Sequence, residues 1–314
     1  MILIFLLLLE RKMSINSHPT LPEFEYVKPS TIKEASTFLY ERPEEARPFL
    51  GGTDIFVRMR DGIITPRYLV DIKKIPETNE IQFDPMVGLR IGAAVNMNRV
   101  ITEPVVQEQY PLLAEACKSV ASYQLRNRAT IAGNVCNASP AGDTIGACLV
   151  YGGKIHIHGM NGYYVIPVDG FFLGPGRTTL QRGDVVIAIE IPVPFKGAFG
   201  KYIKLGRNRL SDLSIVGVTI LGYPDSGIPS HYRFRIALAS VAPIPLLVLE
   251  AEEFLANAPI TRDRLEETAI LTETAAIPID DIRGSAKYRK EMVRILTLRG
   301  LNTLWENLKR DGGE

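Results

Sequence analysis

The chain is poor in cysteine. Its 314 residues hold 3, Cys117, Cys136 and Cys148, and no Cys-x-x-Cys occurs. That scarcity excludes a disulfide framework and fits a reducing, cytoplasmic setting. It also removes iron–sulfur and zinc sites built on paired local cysteines, so no metal ligands are expected in this chain. Three dispersed thiols read as small core residues. Charge of one sign is equally scarce: 36 basic residues face 35 acidic ones, for a formal net charge of +1. With no long single-sign run, neither a nucleic-acid scaffold nor a membrane-surface binder is expected.

Long apolar runs are absent as well. Met1–Leu9 is apolar, but Glu10-Arg11-Lys12 follows at once, and a transmembrane helix needs roughly 20 such residues. No basic stretch precedes the run and no small-residue cleavage site follows it, so it does not read as a signal peptide. Residues 1–22 are expected to be a disordered extension, or in part the product of an upstream start before Met13. The phosphate loop G-x-x-x-x-G-K-S/T, the dinucleotide fingerprint G-x-G-x-x-G and the nucleophile elbow G-x-S-x-G are all missing. Gly174-Pro175-Gly176 lacks the third glycine. The common nucleotide folds and serine hydrolases lose their support accordingly.

What the chain does have is a pair of glycine-containing loops, Phe49-Leu50-Gly51-Gly52-Thr53-Asp54-Ile55 and Thr130-Ile131-Ala132-Gly133-Asn134-Val135. Each reads as a buried strand breaking into a tight turn whose bare N–H groups can face an anion. The first alone is also an ordinary strand-to-helix connection. The second continues through Cys136-Asn137-Ala138-Ser139-Pro140-Ala141-Gly142-Asp143, small and amide side chains ending in a carboxylate suited to sugar hydroxyls. Together they suggest a clamp for a diphosphate.

Around these loops, short strands alternate with helices. Thr31 and Glu34 resemble a capping box opening a helix through Leu39, and Asp54 to Arg60 reads as the next helix. Strands are expected at 68–72, 89–93, 154–158 and 185–191, with one helix carrying Val105, Val106, Leu112, Leu113 and Ala116 and a short buried helix at 145–150. His156 and His158 share a strand face that reads as solvated, because no nearby ligand cluster accompanies them. Pro192-Val193-Pro194 and Lys196-Gly197-Ala198 mark a domain boundary. Beyond it come strands at 201–205, 214–221 and 232–240, then helices at 246–256, 262–274 and 285–308, a small α+β layer.

Gln124 to Asn134, continued by Ser139-Pro140-Ala141-Gly142-Asp143, resembles the second FAD loop of the flavin-binding medium subunit of molybdenum hydroxylases, the xanthine dehydrogenase and aerobic carbon monoxide dehydrogenase type. Leu50-Gly51-Gly52-Thr53-Asp54-Ile55 resembles the first. Tyr202-Ile203-Lys204-Leu205-Gly206-Arg207, Val241-Ala242-Pro243-Ile244-Pro245 and Arg283-Gly284-Ser285-Ala286-Lys287-Tyr288-Arg289 match in order, so the resemblance runs from Phe24 to Arg299. Two departures stand out: Ala132 where the family has glycine, and Leu50 where it has alanine. A methyl at Ala132 is expected to tighten the space for a ligand.

The resemblance implies an α+β protein: an FAD-binding domain of the p-cresol methylhydroxylase or vanillyl-alcohol oxidase type over residues 23–195, then a carbon monoxide dehydrogenase flavoprotein-type domain over 196–314 with a three-stranded sheet and helices. It implies FAD held by Gly51, Gly52, Thr53, Asp54, Ile55, Thr130, Ile131, Ala132, Gly133 and Asn134, with Asp143 on the flavin polyol. Lys204 would be a flavin-tuning cation near ring atoms N1 and O2, at the opposite end from Asp143; by spacing alone Lys204 is a surface lysine. Arg207 and Arg209 read as solvated charge. No catalytic acid or base for substrate hydroxylation stands out. The implied partners are a large molybdopterin subunit and a small subunit with two 2Fe-2S clusters, assembled as a dimer of heterotrimers, with this chain passing electrons through FAD to an external acceptor. A self-contained FAD oxidase or reductase and a cofactor-free assembly subunit are the alternatives.

Overall fold

The structure is a computed structural model that describes residues 20–208 and 212–311. The expectations for residues 1–19 and for Arg209 lie outside the described residues. The first helix, Ile32–Glu41, starts where the Thr31 hydroxyl accepts from the Glu34 amide at 3.1 Å, while Glu34 reaches back to the Ser30 amide at 2.7 Å. It packs by strands Glu25–Val27, Tyr68–Asp71 and Ala46–Phe49, a parallel sheet with Tyr68–Asp71 in the middle. Phe49 ends its strand buried, and the chain turns through Gly51 and Gly52 into the helix Ile55–Arg60.

An antiparallel five-stranded sheet follows, in the order Ile81–Asp84, Gly88–Gly92, Val185–Pro192, Lys154–Gly159, Gly162–Pro167. Strand alternation puts Leu89, Ile91, Ile155, Ile157, Ile189 and Ile191 into the main core. The segment expected to form one helix through Val105 and Ala116 forms two, Pro104–Gln109 and Pro111–Ser119, and a further helix, Met97–Thr102, precedes them. Pro104 and Pro111 each open a new helix, because proline has no N–H for the ladder and drives the preceding residue out of the helical region. Val106, Leu112, Leu113 and Ala116 still bury in the same core.

The C-terminal sheet pairs Phe199–Leu205, Val216–Pro224 and Tyr232–Ala239 antiparallel, and a two-residue strand, Leu246–Leu247, adds a fourth at its edge. A helix was expected from Leu246. It starts instead at Leu249, because the open edge supplies ladder partners: the Val248 amide donates to the Ile236 carbonyl at 3.0 Å. Helices Leu249–Ala256, Arg262–Ala275 and Ala286–Asp311 cover one sheet face, where Val218, Ile220, Phe234 and Ile236 meet Leu296, Leu301 and Leu304. The other face sends Tyr202, Leu221, Tyr223 and Ala237 into the main core. Packing there is close enough that a Cβ on Gly146 would lie 2.2 Å from the Thr219 hydroxyl oxygen. Both faces of this sheet are therefore covered by other elements, with the edge strand Phe199–Leu205 half-buried, and the period of two sets Lys204 beside Tyr202 on the face turned to the N-terminal part.

His156 is not on a solvated face. It is buried, with Nε2 2.9 Å from a Glu190 carboxylate oxygen and Nδ1 bonded to the Tyr163 hydroxyl. Burial pushes its pKa below the ordinary value against the pull of Glu190. Glu190 comes from a strand far along the chain, so no local pattern announced it. Among the described residues no group of three or more His, Cys, Asp or Glu is set to hold a metal, and no helix is long and apolar enough to cross a membrane.

Candidate cofactor site

The two glycine turns lie side by side. A Cβ on Gly51 would sit 2.1 Å from the Arg128 carbonyl oxygen, so the chain can run this close only without a side chain there. Arg128 Nε donates to the Gly51 carbonyl at 3.3 Å, and Asn137 Nδ2 donates to Asp54 Oδ1 at 3.0 Å. Gly52 takes φ +80, a left-handed conformation that turns the chain into the helix Ile55–Arg60. Between the turns opens a cavity of about 380 Å³, lined by Gly51, Gly52, Thr53, Asp54, Ile55, Thr130, Gly133 and Asn134 among others.

The second turn differs from its expected form. It is a helix start, not the end of a strand: Thr130 makes one isolated bridge to Asn96 and caps the helix Ile131–Asn137 by accepting from the Gly133 amide at 2.9 Å. The helical turn Tyr123–Arg126 just upstream leaves no room for a longer strand. Ile131 and Ala132 point into the core, so the Ala132 methyl takes no space from the cavity. That corrects the expectation of crowding at this position. The amides of Thr53, Asp54, Ile55, Ile131 and Ala132 find no acceptor among the described residues. Uncommitted donors at the starts of two helices, beside glycines that leave room for approach, fit a diphosphate.

Asp143 and Lys204 are brought together, against the expectation that they mark opposite ends of the flavin. Lys204 Nζ donates to Asp143 Oδ2 at 2.8 Å and to the Ser119 carbonyl at 3.2 Å, while the Tyr202 hydroxyl donates to Asp143 Oδ1 at 2.6 Å. Lys204 is 16% exposed, so it is not a surface lysine. The reason is the strand period, which aims Tyr202 and Lys204 at the same loop. Burial pushes the Asp143 pKa up, with Lys204 and Tyr202 pulling it back, and burial also raises the Tyr202 phenol.

This unit adjoins the cavity wall. Asn134 accepts from the Thr144 amide at 3.3 Å and the Thr144 hydroxyl at 2.7 Å, which ties the wall to the residue after Asp143. Past the ion pair lies a groove of about 400 Å³ at the seam, bordered by Lys118, Ser119, Ala121, Lys204 and Arg207. Arg207 pairs with Asp212 at 3.4 Å.

Several residues escaped the sequence. Arg58 lines the cavity one helical turn after Asp54, a spacing that was there to be used. Asp184, Val185 and Val186 line it from a distant strand with no local signal. Cys136 also borders it, its thiol pushed up to about 12 by burial, which keeps it protonated. Tyr202, two residues before Lys204, follows from strand alternation once Lys204 is singled out.

The family described as FAD binding domain in molybdopterin dehydrogenase matches residues 22–194, and that described as CO dehydrogenase flavoprotein C-terminal domain matches residues 201–304. The chain is 32% identical over 284 residues to the carbon monoxide dehydrogenase medium chain of Hydrogenophaga pseudoflava, covering 90% of this chain and 98% of that one. It is 29% identical to the xanthine dehydrogenase FAD-binding subunit of Escherichia coli O157:H7, over 87% of this chain and 92% of that one. Among solved structures, Hydrogenophaga pseudoflava carbon monoxide dehydrogenase lacking the Mo-pyranopterin moiety of its molybdenum cofactor superposes with a TM-score of 0.87 at 33% identity, over 92% of this chain and 99% of that one. Quinoline 2-oxidoreductase from Pseudomonas putida 86 gives 0.85 at 25% identity, over 92% and 99%. The fold, the paired turns and these matches identify the chain as a member of the family of FAD-binding medium subunits of molybdenum hydroxylases, an oxidoreductase subunit.

Proposed function

We propose that this chain carries FAD and passes electrons from the iron–sulfur clusters of a partner subunit to an external acceptor. The observation that carries the reading is the packing of the two turns around one cavity with their amides uncommitted. FAD, when bound, supplies reversible uptake and release of electrons. The chain's own residues do the holding. The free backbone amides of Thr53–Ile55 and of Ile131 and Ala132 bind the diphosphate, Gly51, Gly52, Thr130, Gly133 and Asn134 shape the seat around it, and Arg58 adds positive charge at the cavity edge.

The link from Asn134 through Thr144 to Asp143 and Lys204 supports a ligand laid along the 130–144 loop, with its diphosphate in the cavity and its ring at the seam groove. Asp143 keeps lone pairs for a polyol hydroxyl, and Lys204 keeps one N–H for the ring. Both then act at the ring end. Residues 23–195 form the FAD domain and 196–314 the second domain in this reading. A large molybdopterin subunit and a small subunit with two 2Fe-2S clusters are the proposed partners, two such heterotrimers forming the cytoplasmic enzyme. Ala132 lends no support to a cofactor-free subunit, since its methyl lies in the core.

The test is a complex assembled from the three subunits and stripped of FAD. Its clusters should still be reduced by substrate, while reduction of a soluble acceptor is lost and returns on adding FAD. Acceptor reduction that proceeds equally without FAD would contradict the proposal.

A further inference from the structure

The buried hydroxyl of Tyr202 has one partner, Asp143 Oδ1 at 2.6 Å, and the residue is 5% exposed. Its strand is pinned from behind: the Tyr202 amide donates to Glu115 Oε2 at 3.0 Å and Lys201 Nζ donates to Glu115 Oε1 at 2.5 Å. With the backbone held there and the ring buried, the phenol keeps its bond to Asp143 Oδ1, and that bond together with Lys204 on Oδ2 orients the carboxylate. The other oxygen of Asp143 meets Lys204, whose ammonium spends two of its three N–H groups on Asp143 and the Ser119 carbonyl. The third is left for the groove that Lys204 lines.

We infer that Tyr202 is a positioning residue for the flavin ring: by holding the Asp143 carboxylate it fixes where the charge of Lys204 points. The inference rests on the proposed placement of the ring at the seam. The charged and titratable groups around Asp143 are few. Tyr202 and Lys204 face it from the strand Phe199–Leu205, and Lys118 borders the groove from the helix Pro111–Ser119. Glu115 of that helix is turned to Lys201, and Arg283, by Ser214, is paired with Asp281. Tyr202 and Lys204 both favour the ionised carboxylate against its burial. Removing the phenol hydroxyl raises the pH at which Asp143 takes up a proton, and once it does so the Lys204 charge stands uncompensated beside the ring.

The experiment compares the assembled complex with its Tyr202→Phe and Asp143→Asn variants, measuring FAD per chain and the flavin midpoint potential against pH. The native profile should show a break beyond the flavin's own proton dependence. In Tyr202→Phe that break should move up by about one pH unit, a tenfold tighter proton, and in Asp143→Asn it should vanish. A Tyr202→Phe profile that superimposes on the native one overturns the inference, as does a break that survives in Asp143→Asn. Loss of flavin from Tyr202→Phe but not from Asp143→Asn would make Tyr202 a packing residue and also overturn it. A native complex without flavin refutes the proposed function instead. The coupling is then read on the flavin-free chain, where carboxyl 13C shifts assigned to Asp143 by its absence in Asp143→Asn must titrate higher in Tyr202→Phe, and an unmoved titration refutes the inference.

Discussion

The two ends of the loop from Thr130 to Thr144 are built by different means. At the first, main-chain amides and glycines from two turns enclose a cavity, and the fit depends on atoms that are not there. At the second, three side chains, Asp143, Tyr202 and Lys204, meet in a buried ion pair. A backbone seat is expected to be intolerant of added volume and indifferent to pH. A buried charged unit is expected to tolerate small changes in shape and to respond to charge and pH.

The largest effect should come from adding one methyl at the first end. Gly51→Ala would set a Cβ 2.1 Å from the Arg128 carbonyl oxygen, backbone against backbone, so the turns must part. With the diphosphate amides pulled out of register, FAD content per chain, measured by extraction from the purified complex, should fall at least about tenfold. Retained flavin would mean that the turns need not touch.

Charge is the lever at the second end. Lys204→Met should leave FAD content near native while lowering the flavin midpoint potential, by on the order of 1 kcal/mol in redox free energy for a cation already half-neutralised by Asp143. Spectroelectrochemistry reads this, and an unchanged potential removes Lys204 from the ring.

The pH response should divide the two ends in the same way. Asp143 has a folded pKa raised above its ordinary 3.8. A raised pKa means stability fully present below that ordinary value and lost as pH rises through the folded one. Against an Asp143→Asn reference, the flavin-free native chain should lose relative stability across that window in urea unfolding. A constant difference would contradict the assignment.

The smallest effect is expected from Ala132→Gly. With the methyl in the core, the change should cost about 1 kcal/mol of stability through helix propensity and a small cavity. FAD affinity, by titration of the stripped complex, should stay within about twofold. A marked gain in affinity would show that the methyl does crowd the ligand.

Much of this was legible in the sequence, for physical reasons particular to each residue. The apolar strand residues along 201–205 and 214–221 marked the C-terminal sheet, since a strand covered on both faces reads as a nearly continuous apolar run. The same spacing read Lys204 as a surface lysine, because the loop that covers it lies far away in the chain. Thr130 was visible as a small polar residue before an apolar run, yet the glycine after it pulled the reading toward a strand turn. Pro104 and Pro111 were equally visible, but the apolar period continues across both and hid the breaks. The pairings Asp143–Lys204 and His156–Glu190 were not legible, because each joins residues far apart in the chain through packing that no local pattern encodes.

The central claim is that the two turns form one seat for a diphosphate. It is tested most directly by calorimetric titration of the stripped complex with FAD and with flavin mononucleotide, which shares the ring and polyol but lacks the diphosphate and adenosine. FAD should bind tighter by about a hundredfold or more, and Gly51→Ala should erase most of that difference. Equal affinity for the two ligands in the native complex would contradict the claim.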